Sequence, residues 1–306
     1  MSMQAETGGQ TAREEVVGVD ASETPRRRII RRFRRNVPAM CGFGFLVVLV
    51  GSALAAPLIA GKDPNVTDPF NQGAGPSVAH WLGTDLNGRD AFARLIFGTR
   101  VSLEVCLLVV FFAMVIALPL GLIAGYFGSW PDYMISRITD AMFTFPTITL
   151  ALIVSVILHK GILSASIAIG VTFVPGFVRL VRAQVLAVRE ETYVEAARSV
   201  GVSNFRMLRK HIFPNAVTPL LVQIALSFGY ALLAEAGLSF LGFGVQQPTP
   251  SWGTMLQDAY NAMPAKTWPV IPPGIALALT VLAINLVADG LRDSLGREAH
   301  AGKMTE

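Results

Sequence analysis

The chain has 306 residues, of which 52% are hydrophobic and only 15% charged, and its mean hydropathy is +0.52. Soluble globular domains carry roughly 25% charged residues, so this composition excludes an ordinary soluble enzyme and indicates a chain that is mostly membrane. The formal net charge of +4 comes from arginines and lysines gathered into a few segments. Such clustering is information about topology, and it makes a nucleic-acid-binding reading unnecessary.

In chain order, residues 1–36 read as an N-terminal cytoplasmic tail. It is polar and short of apolar residues over 1–24, hence largely disordered, and Arg-rich at its end (Arg26–Arg35), where it would also touch anionic lipid. The apolar stretch Met40–Ala60 places a first transmembrane helix at 37–60. Its basic flank and the ALAAP at Ala53–Pro57 imitate a secretory signal, but the stretch outruns the usual ~7–15 residue apolar region and Pro57 follows the candidate cleavage site. It is read as a retained span.

Residues 61–100 form an extracytoplasmic loop. Asp63, Asp68, Asp85 and Asp90, with the DLNGRD that starts at Asp85, partly imitate a calcium loop. Such a loop needs a bidentate acid at its twelfth position, which counted from Asp85 is Ile96, so no metal site is assigned. The better reading is a folded cap in which Asp85, Arg89 and Asp90 pair locally around Gly83 and Gly88.

The core, 101–291, holds five more apolar stretches: Val101–Phe127, Phe143–Leu158, Ile162–Leu180, Ala216–Leu241 and Ile271–Ala288. About 20 helical residues cross a ~30 Å hydrocarbon layer, and open strands cannot satisfy their backbone there. The short third stretch extends backwards through Tyr133, Ile135 and Ile138. The fold class is therefore all-α integral membrane with six transmembrane helices, followed by a tail at 292–306. With the N-terminus inside, Arg26–Arg35, Arg137, Arg182–Lys210 and the C-terminal tail bring seventeen Lys and Arg to inner segments against six on outer ones, which places both termini in the cytoplasm. Cys41 and Cys106 lie in apolar spans and form neither a CxxC nor a disulfide framework.

One inner segment, 183–215, is polar and basic and contains EAARSVGVSNFRMLRKHIFPN (195–215). Tyr193, Ala196, Ala197 and Val200 recur at helical spacing and form one apolar stripe. Gly201 stands where a left-handed C-cap belongs. Ser203 and Asn204 are N-cap types for a second helix with Phe205, Leu208 and Ile212 on one face, which Pro214 stops. An alanine-rich stripe inserts poorly into headgroups but lets another protein approach the helix backbone, with Glu195 and Arg198 orienting the contact.

Charge inside a span is costly and often functional. Glu235 lies deep in the fifth span, one turn from Ser239 and beside Ala234, Ala236 and Gly237, so it faces neighbouring helices. Glu235 and Ser239 are candidates for lining a route or gate, and a structural hydrogen bond at a helix interface is the equal alternative. Glu104 lies near a span end, and Arg179 and Arg182 close the fourth span where snorkelling is ordinary. Asp289 beside Arg292 reads as a terminal pair.

Several segments together carry a family resemblance. EAA, Gly201 and the HIFP at His211–Pro214 resemble the EAA loop of permease subunits in binding-protein-dependent ABC importers, although His211 and Phe213 stand where that loop usually has Ile and Leu. His80–Leu103, Ala234–Leu256 and Asn285–Leu295 are similar to segments of the C-type permease of dipeptide and oligopeptide importers, and the likeness runs from about Arg35 to Ser294. Cys106 departs from a position that is often glycine-like in that subfamily. The resemblance implies the type I permease fold and an ATPase-coupling role for Glu195, Ala196, Ala197, Gly201 and Pro214. It implies as partners a B-type permease, two cytoplasmic ATPase subunits carrying ATP and Mg, and an extracytoplasmic substrate-binding protein, in the bacterial cytoplasmic membrane. The expected cargo is peptides, with nickel or glutathione as alternatives.

The chain itself lacks a motor and an active site. No GxxxxGK[ST] loop occurs, Gly296–Met304 being only a near miss, and the Thr7–Gln10 echo of an ABC signature lacks its context. His80, His159, His211 and His300 form no HExxH, and Gly237–Gly242 is not GxSxG. The competing class is a proton-coupled secondary transporter using Glu235 and Glu104. The internal repeat such carriers usually show is not found in the sequence, and such a carrier has no need of the coupling loop.

Overall fold

The computed structural model describes residues 25–263 and 268–301. The expected disorder of 1–24, Lys266 and the end of the C-terminal tail lie outside the described residues. Twelve helices follow in chain order: α1 (Pro25–Arg35), α2 (Val37–Leu54), α3 (Ala56–Ala60), α4 (Ala91–Phe127), α5 (Ser129–Phe143), α6 (Thr147–Leu158), α7 (Ile162–Arg189), α8 (Thr192–Ser199), α9 (Asn204–Arg206), α10 (Phe213–Phe240), α11 (Trp252–Ala262) and α12 (Ile271–Ala301). Five are long and apolar enough to cross a membrane (α2, α4, α7, the Pro219–Phe240 part of α10, and Trp268–Leu295 around α12), and the α5–α6 pair makes a sixth span if taken together.

That pair differs from the straight third span expected from the sequence, because α5 and α6 meet at 98°. Pro146 sits at the N-cap of α6 with an extended backbone. Proline pushes the residue before it out of the helical region, so the helix cannot run through Phe145. The first span, expected over 37–60, ends at Leu54 and resumes as the separate α3, whereas α4, α7, α10 and α12 run longer than their apolar stretches. Asp90 caps α4 by accepting the Ala93 N–H at 2.8 Å, so helix begins at Ala91 and the last part of the 61–100 segment is helical. The Arg-rich end of the N-terminal tail is also helical, and its Phe33 packs on Gly290 of α12 and edge-on against Phe43.

Small residues set the helix spacing. A Cβ on Gly121 would stand 2.5 Å from Cβ of Val181, and one on Gly125 2.7 Å from that of Val185, so α4 and α7 touch along their backbones. Gly42 would likewise meet the Ala283 carbonyl at 2.8 Å, closing α2 on α12. Where lipid is as apolar as the side chains, such close packing is the main source of helix association. Two apolar clusters mark the ends of the bundle. One, around Val105, Ile169, Leu232 and Trp252, lies toward the 61–90 cap and α11. The other, around Tyr126, Val185, Met207 and Ile212, lies toward α8 and α9. Phe43, Val48, Leu107, Phe111 and Leu282 point outward, forming an apolar girdle suited to lipid.

Candidate functional site

The segment after α7 folds as a braced loop. Only Val194 of α8 is buried, and Ala197 is half-buried. The expected stripe turns outward: Ala196 is exposed, Tyr193 is 42% exposed and Val200 80%. Glu195 is exposed beside them. Gly201 adopts φ +77°, as its left-handed role requires, and the Gly201 and Val202 amides bond the carbonyls of Arg198 and Ala197 at 3.0 and 3.2 Å. The brace comes from polar contacts. Tyr126 donates to Asn204 Oδ1 at 2.8 Å, and Asn215 Nδ2 donates at 2.8 Å to both Tyr193 Oη and the His211 carbonyl.

The second helix departs from its expected form in two ways. A π-helical turn at Met207–Ile212 breaks the 3.6-residue period, so Phe205, Leu208 and Ile212 do not share a face. Ile212 is buried with Met207, whereas Phe205 is 74% exposed. Pro214 does not stop the helix. It occupies the first turn of α10, the position where a missing N–H is tolerated. Ser203 stands at the N-cap position but makes no side-chain cap.

Glu235 and Ser239 lie within packed core and not on an open surface. Both are fully buried. Ser102 of α4 donates to Glu235 Oε2 at 3.1 Å, and Ser239 donates to Oε1 at 2.8 Å. The backbone N–H of Trp252, the first residue of α11, bonds Ser102 Oγ at 3.2 Å, and that of Val245 bonds Ser239 Oγ at 3.0 Å. A Cβ on Gly253 would stand 2.7 Å from the Ala236 carbonyl, so α11 is pressed directly onto α10. The carboxyl therefore ties α4, α10 and α11 at one point. Glu104, by contrast, is exposed and lines a surface cleft of about 680 Å³ with Lys62, Asp63 and Arg100.

The cap pairs as expected at Asp85 and Arg89, with Nε of Arg89 donating to Oδ2 at 2.6 Å. The other Asp85 oxygen accepts the amides of Asn87 and Arg89. Gly83 and Gly88 hold φ +69° and +77°, and a Cβ on Gly88 would fall 1.9 Å from the Asp68 carbonyl oxygen. Asp90 departs from the expected pairing. It meets His80 Nδ1 at 2.7 Å and Lys62 Nζ at 3.3 Å. Burial works against its ionisation, but the Ala93 amide, His80 and Lys62 outweigh that and hold its carboxyl below the usual carboxylate range.

Two features escape sequence reading. Arg89 and the fully buried Arg94 reach Asp258 of α11 at 3.0 and 3.4 Å, and Arg89 also donates to Gln247 at 2.7 Å. These partners lie more than 150 positions away, and no local pattern announces them. A groove of about 240 Å³ between α6, α7 and α10 is lined by Thr147, Thr172, Gln223, Ser227 and Tyr230. Its polar residues are uncharged and spread over three helices, so hydropathy alone does not mark them.

Residues 117–300 match the model for the binding-protein-dependent transport system inner membrane component, and residues 24–76 match that for the N-terminal TM domain of oligopeptide transport permease C. The dipeptide transport system permease protein DppC of Alkalihalophilus pseudofirmus is 42% identical over 272 residues, covering 89% of this chain and 90% of the relative. The glutathione transport system permease protein GsiD of Pectobacterium atrosepticum is 41% identical over 273 residues, covering 89% and 91%. GsiD of Escherichia coli O157:H7 is 41% identical over 281 residues, covering 92% and 93%. Among solved structures, the MetNI methionine ABC transporter in an inward-facing conformation aligns with TM-score 0.54 at 20% identity, covering 66% of this chain and 96% of that one, a likeness in fold.

Proposed function

This chain belongs to the binding-protein-dependent transport system inner membrane component family, and from that premise we propose that it is the C-type permease half of an ATP-driven importer of peptides. The observation that carries the reading is the loop after α7. It is rigidly braced at its base through Tyr193 and Asn215, yet Ala196 and Val200 of its stripe are turned outward and exposed. A chain with no nucleotide-binding loop of its own needs a surface on which another subunit delivers conformational work, and the exposed Ala196 and Val200 offer one. The partners are two ATPase subunits that bind ATP and Mg, a B-type permease and an extracytoplasmic substrate-binding protein. Both termini are cytoplasmic, with the 61–90 cap and α11 outside. Glutathione is the second reading, favoured by relatives named for its transport.

Proteoliposomes holding the complete complex test this. Uptake of radiolabelled alanyl-alanine is expected only with internal ATP and external binding protein, and preferential competition by glutathione would favour the second reading. In the same preparations, lacking native cysteines, Asn71→Cys labels with an impermeant maleimide from outside and Ser203→Cys does not. Reversed labelling overturns the orientation. Uptake without ATP overturns the importer.

A further inference from the structure

The groove between α6, α7 and α10 lies along the middle turns of α7 and α10. Gln223, Ser227 and Tyr230 recur at i, i+4 and i+7 on the middle turns of α10, so they form one stripe. Thr172 of α7 and Thr147 of α6 lie opposite. Tyr230 is 64% exposed and Gln223 half-buried, and neither side chain makes a hydrogen bond with a described residue, whereas Ser227 between them is buried. Facing lipid, unpaired amide and phenol groups would lose their hydrogen bonds to water with nothing in return. The outward residues nearby on the same helix, Leu221 and Leu233, are of the kind lipid tolerates. The stripe is therefore covered by something polar.

The walls say what kind of group that is. The lining contains no Asp, Glu, Lys, Arg or His. Pro175 lies inside α7 and has no N–H to offer the Val171 carbonyl, so an extra acceptor lies beside Thr172. Nothing stands within 4 Å of a Cβ placed on Gly176, which keeps that wall open. Amide, hydroxyl and carbonyl groups can both donate to and accept from peptide bonds, whatever side chains those peptides carry. Phe143, Phe173 and Phe177 supply an apolar flank.

We propose that this groove is one wall of the solute lane and that Gln223 and Tyr230 hydrogen-bond the backbone amides of a passing peptide without regard to its charge. The inference rests on the peptide-importer reading, and the test separates the two. Gln223→Cys and Tyr230→Cys, in a Cys41→Ala/Cys106→Ala background, are placed in the reconstituted complex beside Leu282→Cys on the outward apolar face. A small water-soluble methanethiosulfonate should modify the first two about tenfold faster or more, since thiolate forms only where water reaches, and alanyl-alanine should slow that reaction. Gln223→Leu should lower uptake of alanyl-alanine, lysyl-alanine and glutamyl-alanine by one common factor of about three to ten, the worth of one hydrogen bond.

Slow modification at 223 and 230 with uptake intact overturns the lane. So does fast modification that the dipeptide leaves unchanged. Unequal factors for the three dipeptides overturn its indifference to charge. If wild-type complex takes up none of them, the peptide reading fails on its own, and the contrast with position 282 still decides whether the groove is wet.

Discussion

Ala196→Trp is expected to reduce ATP-driven uptake about thirtyfold or more while leaving the complex inserted and assembled in detergent extracts. The position lies on the outward stripe of α8 and is exposed, so a large ring there meets no neighbour within the chain. Surface substitutions of this kind usually move stability by no more than about 0.5 kcal/mol. A docking partner would meet the ring directly, and disrupting a central contact typically costs at least about 2 kcal/mol. Ala197 is a poorer site for the same experiment. It is half-buried and packs into the loop's own apolar cluster with Val202 and Leu208, so a bulky residue there would unfold the loop and imitate uncoupling. Unchanged uptake and unchanged stimulation of ATPase activity in the Ala196→Trp complex would remove α8 as the docking face.

The contrast between Ala196 and Ala197 also shows where sequence reading stops. Gly201 was legible because a left-handed C-cap is a local demand, and φ +77° meets it. Which side of α8 faces the chain was not legible. Val194 anchors it from below, and a stripe of small apolar residues looks alike whether it faces in or out. The spans were legible from composition, but their ends were not. Asp90 capping α4 and Pro146 bending α5 against α6 act through one residue each, against a hydropathy average taken over twenty. Arg94 illustrates the remaining limit. From the sequence it reads as a charge in an outer loop, yet it is 1% exposed, between Asp85 of the same loop at 3.6 Å and Asp258 of a distant helix at 3.4 Å. Burial of a charge depends on a partner, and partners brought together only by the fold leave no trace in the local pattern.

Glu235 supplies the second large effect, and its variants separate a fastening role from proton carriage. Its carboxyl is fully buried and accepts from Ser102 and Ser239, while the first backbone N–H of α11 bonds that same Ser102. Glu235→Gln keeps the volume and one acceptor oxygen, to which one hydroxyl still donates while the other can rotate to accept from the amide N–H. The fold and ATP-driven uptake should persist at a reduced level, with a stability loss of about 0.5–1.5 kcal/mol, that of one weakened hydrogen bond. Glu235→Leu removes both acceptors and strands two buried hydroxyls at about 1–3 kcal/mol each, so a loss of several kcal/mol and little assembled transporter are expected. Amide hydrogen exchange at Trp252 and Gly253 should quicken first in the Leu variant, because the start of α11 is what the carboxyl fastens. A proton carrier behaves differently: Glu235→Gln would stop uptake with the fold intact, and an imposed pH gradient alone would drive wild-type accumulation. Either result in proteoliposomes would overturn the fastening role, whereas uptake that follows ATP, ignores the gradient and survives in the Gln variant is what the Ser102–Glu235–Ser239 geometry leads to.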